Sequence, residues 1–221
     1  MILCHPEIET IIDFSQSKVP TVVIENPDFF RKFLLDLYEQ KSGNAGACVL
    51  SDNGKTLEIS KWVEIIDNCL TFELNSKSLL TKISSAMEKT AISESFYLKT
   101  ADLLQRMEQF LNDLAFTFDC DIICNRCNAA AIIKAVGFSL RDEYEDPLER
   151  LVDYMELIRE FQKDSLFIFV NLRCYFPDEK ISLFLDMILA HSYKVLLIDC
   201  LDRVKFPSEN RITIDADLCE F

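Results

Sequence analysis

The sharpest chemical spacing in the chain is Cys120-x-x-x-Cys124-x-x-Cys127, the three-thiolate pattern that holds an iron–sulfur cluster in radical enzymes. On a helix, steps of four and three put all three thiols on one face, where cysteine packs as a small hydrophobe, and that packing role is the expectation. A cluster, or a zinc site lacking a fourth ligand, is the alternative. The two histidines, His5 and His191, have no Ser, Cys or Asp at a spacing that suggests a triad or a metal pair, so both are expected to be structural or solvated. Asp199, Asp202 and Arg203 follow the apolar run Val195–Ile198, at the edge where α/β sheets bind ligands. Ordinary edge polarity is the simpler reading of that trio.

Nucleotide chemistry would need a glycine-rich turn, and neither G-x-x-x-x-G-K-[ST] nor G-x-G-x-x-G occurs. The apolar run Thr21–Glu25 leads instead into Asn26-Pro27-Asp28. Pro27 removes one of the N–H donors with which such a turn cradles phosphate. No catalytic motif is complete, and the chain is not expected to be an enzyme.

The remaining chemistry is charge. The net charge is −14, which by itself opposes binding to a polyanion. Its distribution is uneven: residues 77–141 hold 8 basic and 7 acidic side chains, against 6 and 12 in residues 1–76 and 9 and 18 in residues 142–221. The cations of the middle section are Lys77, Lys82, Lys89, Lys99, Arg106, Arg126, Lys134 and Arg141. Lys82 and Lys89 lie seven apart, so on one helix they share a face opposite or beside the Leu79/Ile83 stripe. Such a face can track a phosphate backbone, and it is also what a solvated helix surface looks like.

The elements that must position these residues follow from periodicity. Thr21–Glu25 reads as a buried strand, and Asn26 and Pro27 as the start of a helix whose Phe29, Phe30, Phe33, Leu34, Leu37 and Tyr38 recur at helical steps up to Lys41. Cys48–Ser51 and Thr56–Ile59 read as strands joined by an Asn53-Gly54 hairpin turn. From Ser76 the period becomes helical: Leu79, Leu80, Ile83 and Met87 make one stripe, and Leu103, Leu104, Met107, Phe110, Leu111 and Leu114 another. A shorter helix over Asn128–Val136 ends at Gly137, and a fourth runs from Pro147 to Gln162. Leu166–Val170, a helix opened by Pro177, and Val195–Ile198 form a βαβ unit, which requires a parallel sheet. The fold class is therefore α/β. A discontinuous sheet domain spans residues 1–75 and 164–221, with an α-helical domain, 76–163, inserted in sequence.

The N-terminal MILCHPEIETIIDF lacks the basic and apolar regions of a signal peptide, and no apolar run approaches the ~18 to 20 residues that span a bilayer. A cytoplasmic protein with no membrane partner is expected, its nine cysteines mostly buried thiols in a reducing compartment.

In order, these features resemble a family: the small spacer-acquisition protein of type II-A CRISPR systems. The likeness is carried by TVVIENPDFFRKFLLDLY, the helical section through IIKAVGF, PLERLVDYMELIREFQKDSLFIFVNLRCYFPDEKISLFL, KVLLID and FPSENRITI, and covers nearly the whole chain. The resemblance implies a bacterial, non-catalytic protein acting in antiviral defence. Its sheet domain would be like that of P-loop proteins without a working phosphate loop. Four copies would form a homotetrameric ring that encloses double-stranded DNA ends, without sequence preference, against a basic inner wall supported by calcium. Its partners would be the integrase proteins and the RNA-guided effector nuclease of its own system. The middle-section lysines and arginines become the DNA-binding candidates. The family's calcium-binding carboxylates precede the segment matching Ala129–Gly137, where this chain offers Asp119, Asp121 and Asn125. That set is smaller than the about six to eight oxygens calcium takes, and Arg126 opposes it. Outside this reading stand a degenerate nucleotide hydrolase, a metal–thiol enzyme, and a protein-interaction scaffold with no DNA contact.

Overall fold

A computed structural model describes all residues from Met1 to Phe221, and the chain divides into two units, Met1–Phe72 with Tyr144–Phe221, and Glu73–Glu143. The first unit opens with strands β1 (Ile2–His5), β2 (Ile8–Asp13) and β3 (Val19–Ile24), then helix α1 (Pro27–Lys41). Strands β4 (Val49–Asp52) and β5 (Lys55–Leu57) follow, then the short helix α2 (Ile59–Trp62) and strand β6 (Val63–Ile66). The second unit holds helices α3 (Lys77–Ala91), α4 (Tyr97–Ala115) and α5 (Ala129–Val136). The chain re-enters the first unit with α6 (Pro147–Phe161), β7 (Leu166–Val170), a single 3₁₀ turn at Leu172–Cys174, α7 (Asp178–Ala190), β8 (Lys194–Asp199) and β9 (Glu209–Ile214). No helix is long and apolar enough to cross a membrane.

The expected parallel sheet is present, in the order β6-β7-β8-β3-β9. All six residues of β3 are buried, because this strand has a neighbour on each side and side chains packed on both faces. One face carries Val22, Ile24, Ile168, Leu196, Ile198, Ile212 and Ile214 against Phe29, Phe33 and Leu37 of α1. The other carries Phe169 edge-on to Phe184 of α7, with ring centroids 5.6 Å apart. Helix α1 starts where the sequence indicates: the Asn26 side chain accepts from the amides of Asp28 and Phe29, and Pro27 occupies the first turn.

Three features depart from the sequence expectation. The hairpin at Asn53-Gly54, where both residues have positive φ, belongs to a separate antiparallel sheet of order β2-β1-β4-β5, and Ile59 starts α2 instead of ending a strand. Strands β1, β2 and β6 are short and carry no turn signal strong enough to reveal them. Helix α6, grouped by its period with the helical domain 76–163, belongs to the sheet unit, so the helical unit ends at Glu143. Its Leu151, Tyr154, Met155 and Ile158 are buried, Tyr154 stacks edge-on with Phe72 at 5.2 Å, and the Arg150 guanidinium donates to the Phe72 carbonyl at 2.8 Å. Periodicity reports that a helix has an apolar face, and only tertiary contacts report what that face meets.

The crossover from β8 to β9 passes beyond β3 and is held by a buried ion network. Glu209, fully buried, accepts from the Phe206 amide (2.8 Å), from Arg173 (3.3 Å) and from Arg211 (2.9 Å). Arg173 also donates to the Val204 carbonyl, and its guanidinium lies 4.5 Å from the Phe206 ring centroid. Arg211 pairs with Asp202 at 2.6 Å. Charges removed from water survive only with partners of this kind. Asp199, at the end of β8 and 4% exposed, has only a distant partner, Arg173 Nε at 4.0 Å. Burial pushes its carboxyl up to about 6 from 3.8.

Phe33→Ala, which empties a site with no exposure at the centre of the α1 face, is expected to cost about 3–5 kcal/mol in chemical denaturation. The native state holds the Asp199 proton more tightly than the unfolded chain does. The stability this group contributes is therefore fullest below pH 3.8 and is lost as pH rises towards about 6. Asp199→Asn is expected to flatten that part of the profile of melting temperature against pH, and an unchanged slope would remove Asp199 as its source.

Candidate nucleic-acid interface

The helical unit is built by local signals and closed by one long-range pair. Ser76 caps α3 through the Leu79 amide (3.3 Å), Asn128 caps α5 through the Ala131 amide (2.8 Å), and Gly137, at φ 69°, ends α5. The Asn75 side chain donates to the Leu140 carbonyl (3.1 Å) and accepts from the Leu140 amide (2.7 Å), tying the entry of the unit to its exit. Sequence reasoning misses this clamp, because two residues so far apart share no periodic signal.

Helices α3 and α5 pack together and bound a groove of about 580 Å³ lined by Lys77, Leu80, Glu88, Ile133, Lys134 and Phe138. Lys77 and Lys134 are thus brought to one place, and Glu88 lines the same groove. Lys82 and Lys89 share a face, as expected, but at 100° per residue it is turned away from the groove. Lys99 and Arg106 share a face of α4; Lys99 lies over the Phe96 ring (5.6 Å) and Arg106 pairs with Asp102 (3.0 Å). Arg141 pairs with Glu143 at 2.8 Å. Lys77, Lys82, Lys89, Arg126 and Lys134 form no ion pair within the chain, so their charge is available to a ligand. The eight cations are spread over several surfaces of the unit and do not form a single patch.

The apolar stripe of α4 is not covered. No residue of the helix is buried, and Leu103 and Phe110 are 48% and 61% exposed. The apolar side of this amphipathic helix is thus an unpartnered face within the chain.

The cysteine segment differs from its expectation. Residues 116–128 form no helix, so Cys120, Cys124 and Cys127 do not line one helical face. Cys120 is exposed and the other two are partly exposed; across the chain only Cys48 and Cys69 are buried, which corrects the reading of mostly buried thiols. The segment is irregular because Phe116, Thr117 and Asp119 supply no continuing helical stripe. It is tied back to α4 by the Cys127 amide, which donates to Glu108 at 3.3 Å. Asp119 and Asp121 line a recess of about 480 Å³ with Asn112, Phe116 and Cys120, and Asn125 lies outside that lining. No three Asp, Glu, His or Cys side chains converge to hold a metal. The residues present therefore do not fit calcium: two exposed carboxylates fall short of its coordination shell.

The sheet unit's polar candidates are structurally occupied. At the first strand-to-helix turn, the amides of Asp28 and Phe29 are taken by Asn26 Oδ1 and that of Phe30 by the Asn26 carbonyl, so the donors a phosphate would need are already spent. His5 is buried between Phe29 and Phe33. Its Nδ1 accepts from the Glu7 amide, so Nε2 carries the proton facing Asp36 at 3.2 Å. His191 is exposed at the end of α7. Asp199 and Asp202 belong to the network that anchors β9, a role their local sequence does not announce because their partners Arg173 and Arg211 come from other elements.

A search of curated proteins finds no match. A family model described as CRISPR-associated protein (Cas_Csn2) matches residues 40–218, a span that takes in the helical unit, the β7-α7-β8 segment and β9. That span is well over half of the chain, and the protein belongs to the Cas_Csn2 family of type II-A CRISPR-associated proteins.

Proposed function

We propose that the protein binds double-stranded DNA ends without reading their sequence, as a homotetrameric ring, during the capture of new spacers, and performs no chemistry of its own. The observation that carries this reading is the set of helical-unit cations with no carboxylate partner, Lys77, Lys82, Lys89, Arg126 and Lys134, in a chain of net charge −14. In an acidic protein, unpaired cations gathered in one unit give a local field that favours phosphate while the remaining surface repels it. The uncovered apolar side of α4 supports assembly with further copies. The strand-to-helix turn that would serve a nucleotide in a related α/β fold is filled by Asn26, which supports a positioning role over hydrolysis. The integrase proteins and the RNA-guided nuclease of the same system are the partners this role requires. Calcium is given no step in it.

Backbone binding makes affinity fall with salt. If each of four copies places about two cations on phosphate, log K is expected to fall against log salt with a slope of roughly −7. Sedimentation with a short blunt duplex is expected to show a tetramer that carries DNA at ~50 mM salt and releases it at ~200 mM. Lys82→Glu with Lys89→Glu should weaken binding at least about tenfold and leave the mass of the free protein unchanged. A monomer that fails to carry duplex at ~50 mM salt would sink the reading, and partner binding indifferent to both charge reversals would favour a protein scaffold. Leu103→Asp with Phe110→Asp replaces side chains already in water, costing the single chain within about 0.5 kcal/mol each. The pair is expected to lower the sedimenting mass, and an unchanged mass would exclude this face from the assembly.

A further inference from the structure

Independently of DNA binding, a second chemical centre lies in the sheet unit, at the carboxyl edge of β7 and β8. One residue, Asn171, builds it. Its backbone is left-handed at φ 52°, a conformation that asparagine tolerates better than most side chains. The Asn171 amide extends the β7–β8 ladder by donating to Ile198 at 2.7 Å. Its main-chain carbonyl accepts from the Cys174 amide at 2.9 Å, and its side-chain Oδ1 accepts from the Cys200 amide at 3.0 Å. Two cysteines far apart in sequence are thereby held by hydrogen bonds to the same residue. Cys174 is exposed and Cys200 partly so, and the Arg203 guanidinium donates to Cys174 Sγ at 3.6 Å.

We propose that Cys174 and Cys200 are a peroxide-sensitive dithiol that closes reversibly to an intramolecular disulfide. Cys174 is the first sulfur to react: it is open to solvent and faces a cation, the setting of reactive cysteines. Its thiolate attacks one oxygen of hydrogen peroxide; the S–O bond forms, the O–O bond breaks, and hydroxide leaves to be protonated to water, giving Cys174 sulfenic acid. The Cys200 sulfur, once deprotonated, attacks the Cys174 sulfur; the S–S bond forms, the S–O bond breaks, and the second oxygen leaves as water. Two electrons pass from the thiols to the peroxide, and two thiols plus one peroxide give one disulfide and two waters. Burial first, and the neighbouring Cys174 second, push the Cys200 thiol up, which suits the sulfur that waits for an electrophile over the one that meets peroxide. The loop that follows Cys200, Leu201–Lys205, is exposed and has no regular secondary structure, and its Arg203 and Val204 carbonyls are held by Arg211 and Arg173. A dithiol reductant restores the open form.

The test uses the full chain, freshly reduced, treated with hydrogen peroxide, quenched with N-ethylmaleimide and mapped by peptide mass spectrometry. The Cys174–Cys200 pair is expected as the main internal disulfide, with Cys174 consumed at least about tenfold faster than the exposed Cys120 and Cys219. Cys200→Ser is expected to stop at a Cys174 sulfenic acid that dimedone traps, and Arg203→Gln to slow Cys174 while leaving Cys120 unchanged. The wild-type map needs no substitution, so a variant that fails to fold does not obscure the answer. Equal rates at Cys174, Cys120 and Cys219, or a Cys174 that never links to Cys200, would overturn the proposal.

Discussion

The sheet unit depends on a single constraint: β3 must be the inner strand between β8 and β9. These partners come from the far end of the chain, so β3 cannot acquire its hydrogen bonds until nearly the whole polypeptide is in place. The link from β8 to β9, Cys200–Ser208, is shorter than the dozen or so residues usual for a parallel crossover and contains no helix to cover the strands. Its backbone is held instead by the Arg173, Glu209 and Arg211 network, which supplies fixed hydrogen-bond partners where a helix would have supplied apolar packing. Buried ions contribute little net stability, so their role here is best described as specifying one path for this link.

That arrangement also accounts for the quiet chemistry of the sheet edge. In α/β proteins the carboxyl ends of the strands are where ligands bind, because helix amides point there unused. Here most such groups are already engaged. Asn26 fills the first turn, Asn171 fills the turn after β7, Asp202 pairs with Arg211 of β9, and Asp199 has only Arg173 at 4.0 Å. What remains open at that edge is sulfur, at Cys174 and Cys200.

The helical unit follows the opposite logic. Its helices are well capped, yet α4 buries none of its residues and the segment 116–128 is irregular. Local signals thus suffice to form the helices, while the chain alone does not supply enough apolar surface to cover them. The unit therefore leaves both apolar side chains and unpaired cations in water, surface that the chain itself does not engage.

What depends on near neighbours is legible in the order of residues. Asn26-Pro27 starts α1, Asn53-Gly54 makes the hairpin, Asn128 and Gly137 bound α5, and the βαβ pattern of Leu166–Ile198 requires a parallel sheet; in each case the physical cause lies within a few residues. The order of apolar and turn residues along the chain also sufficed to indicate the family. The remaining features come from long-range packing. It assigned α6 to the sheet unit through Phe72 and Glu64, left the α4 stripe uncovered, turned the cysteine segment into a loop, and separated Lys77 and Lys134 from Lys82 and Lys89. Periodicity fixes which side of a helix is apolar; whether that side meets a sheet, another copy or water is set by residues far away in sequence, and no local pattern encodes them.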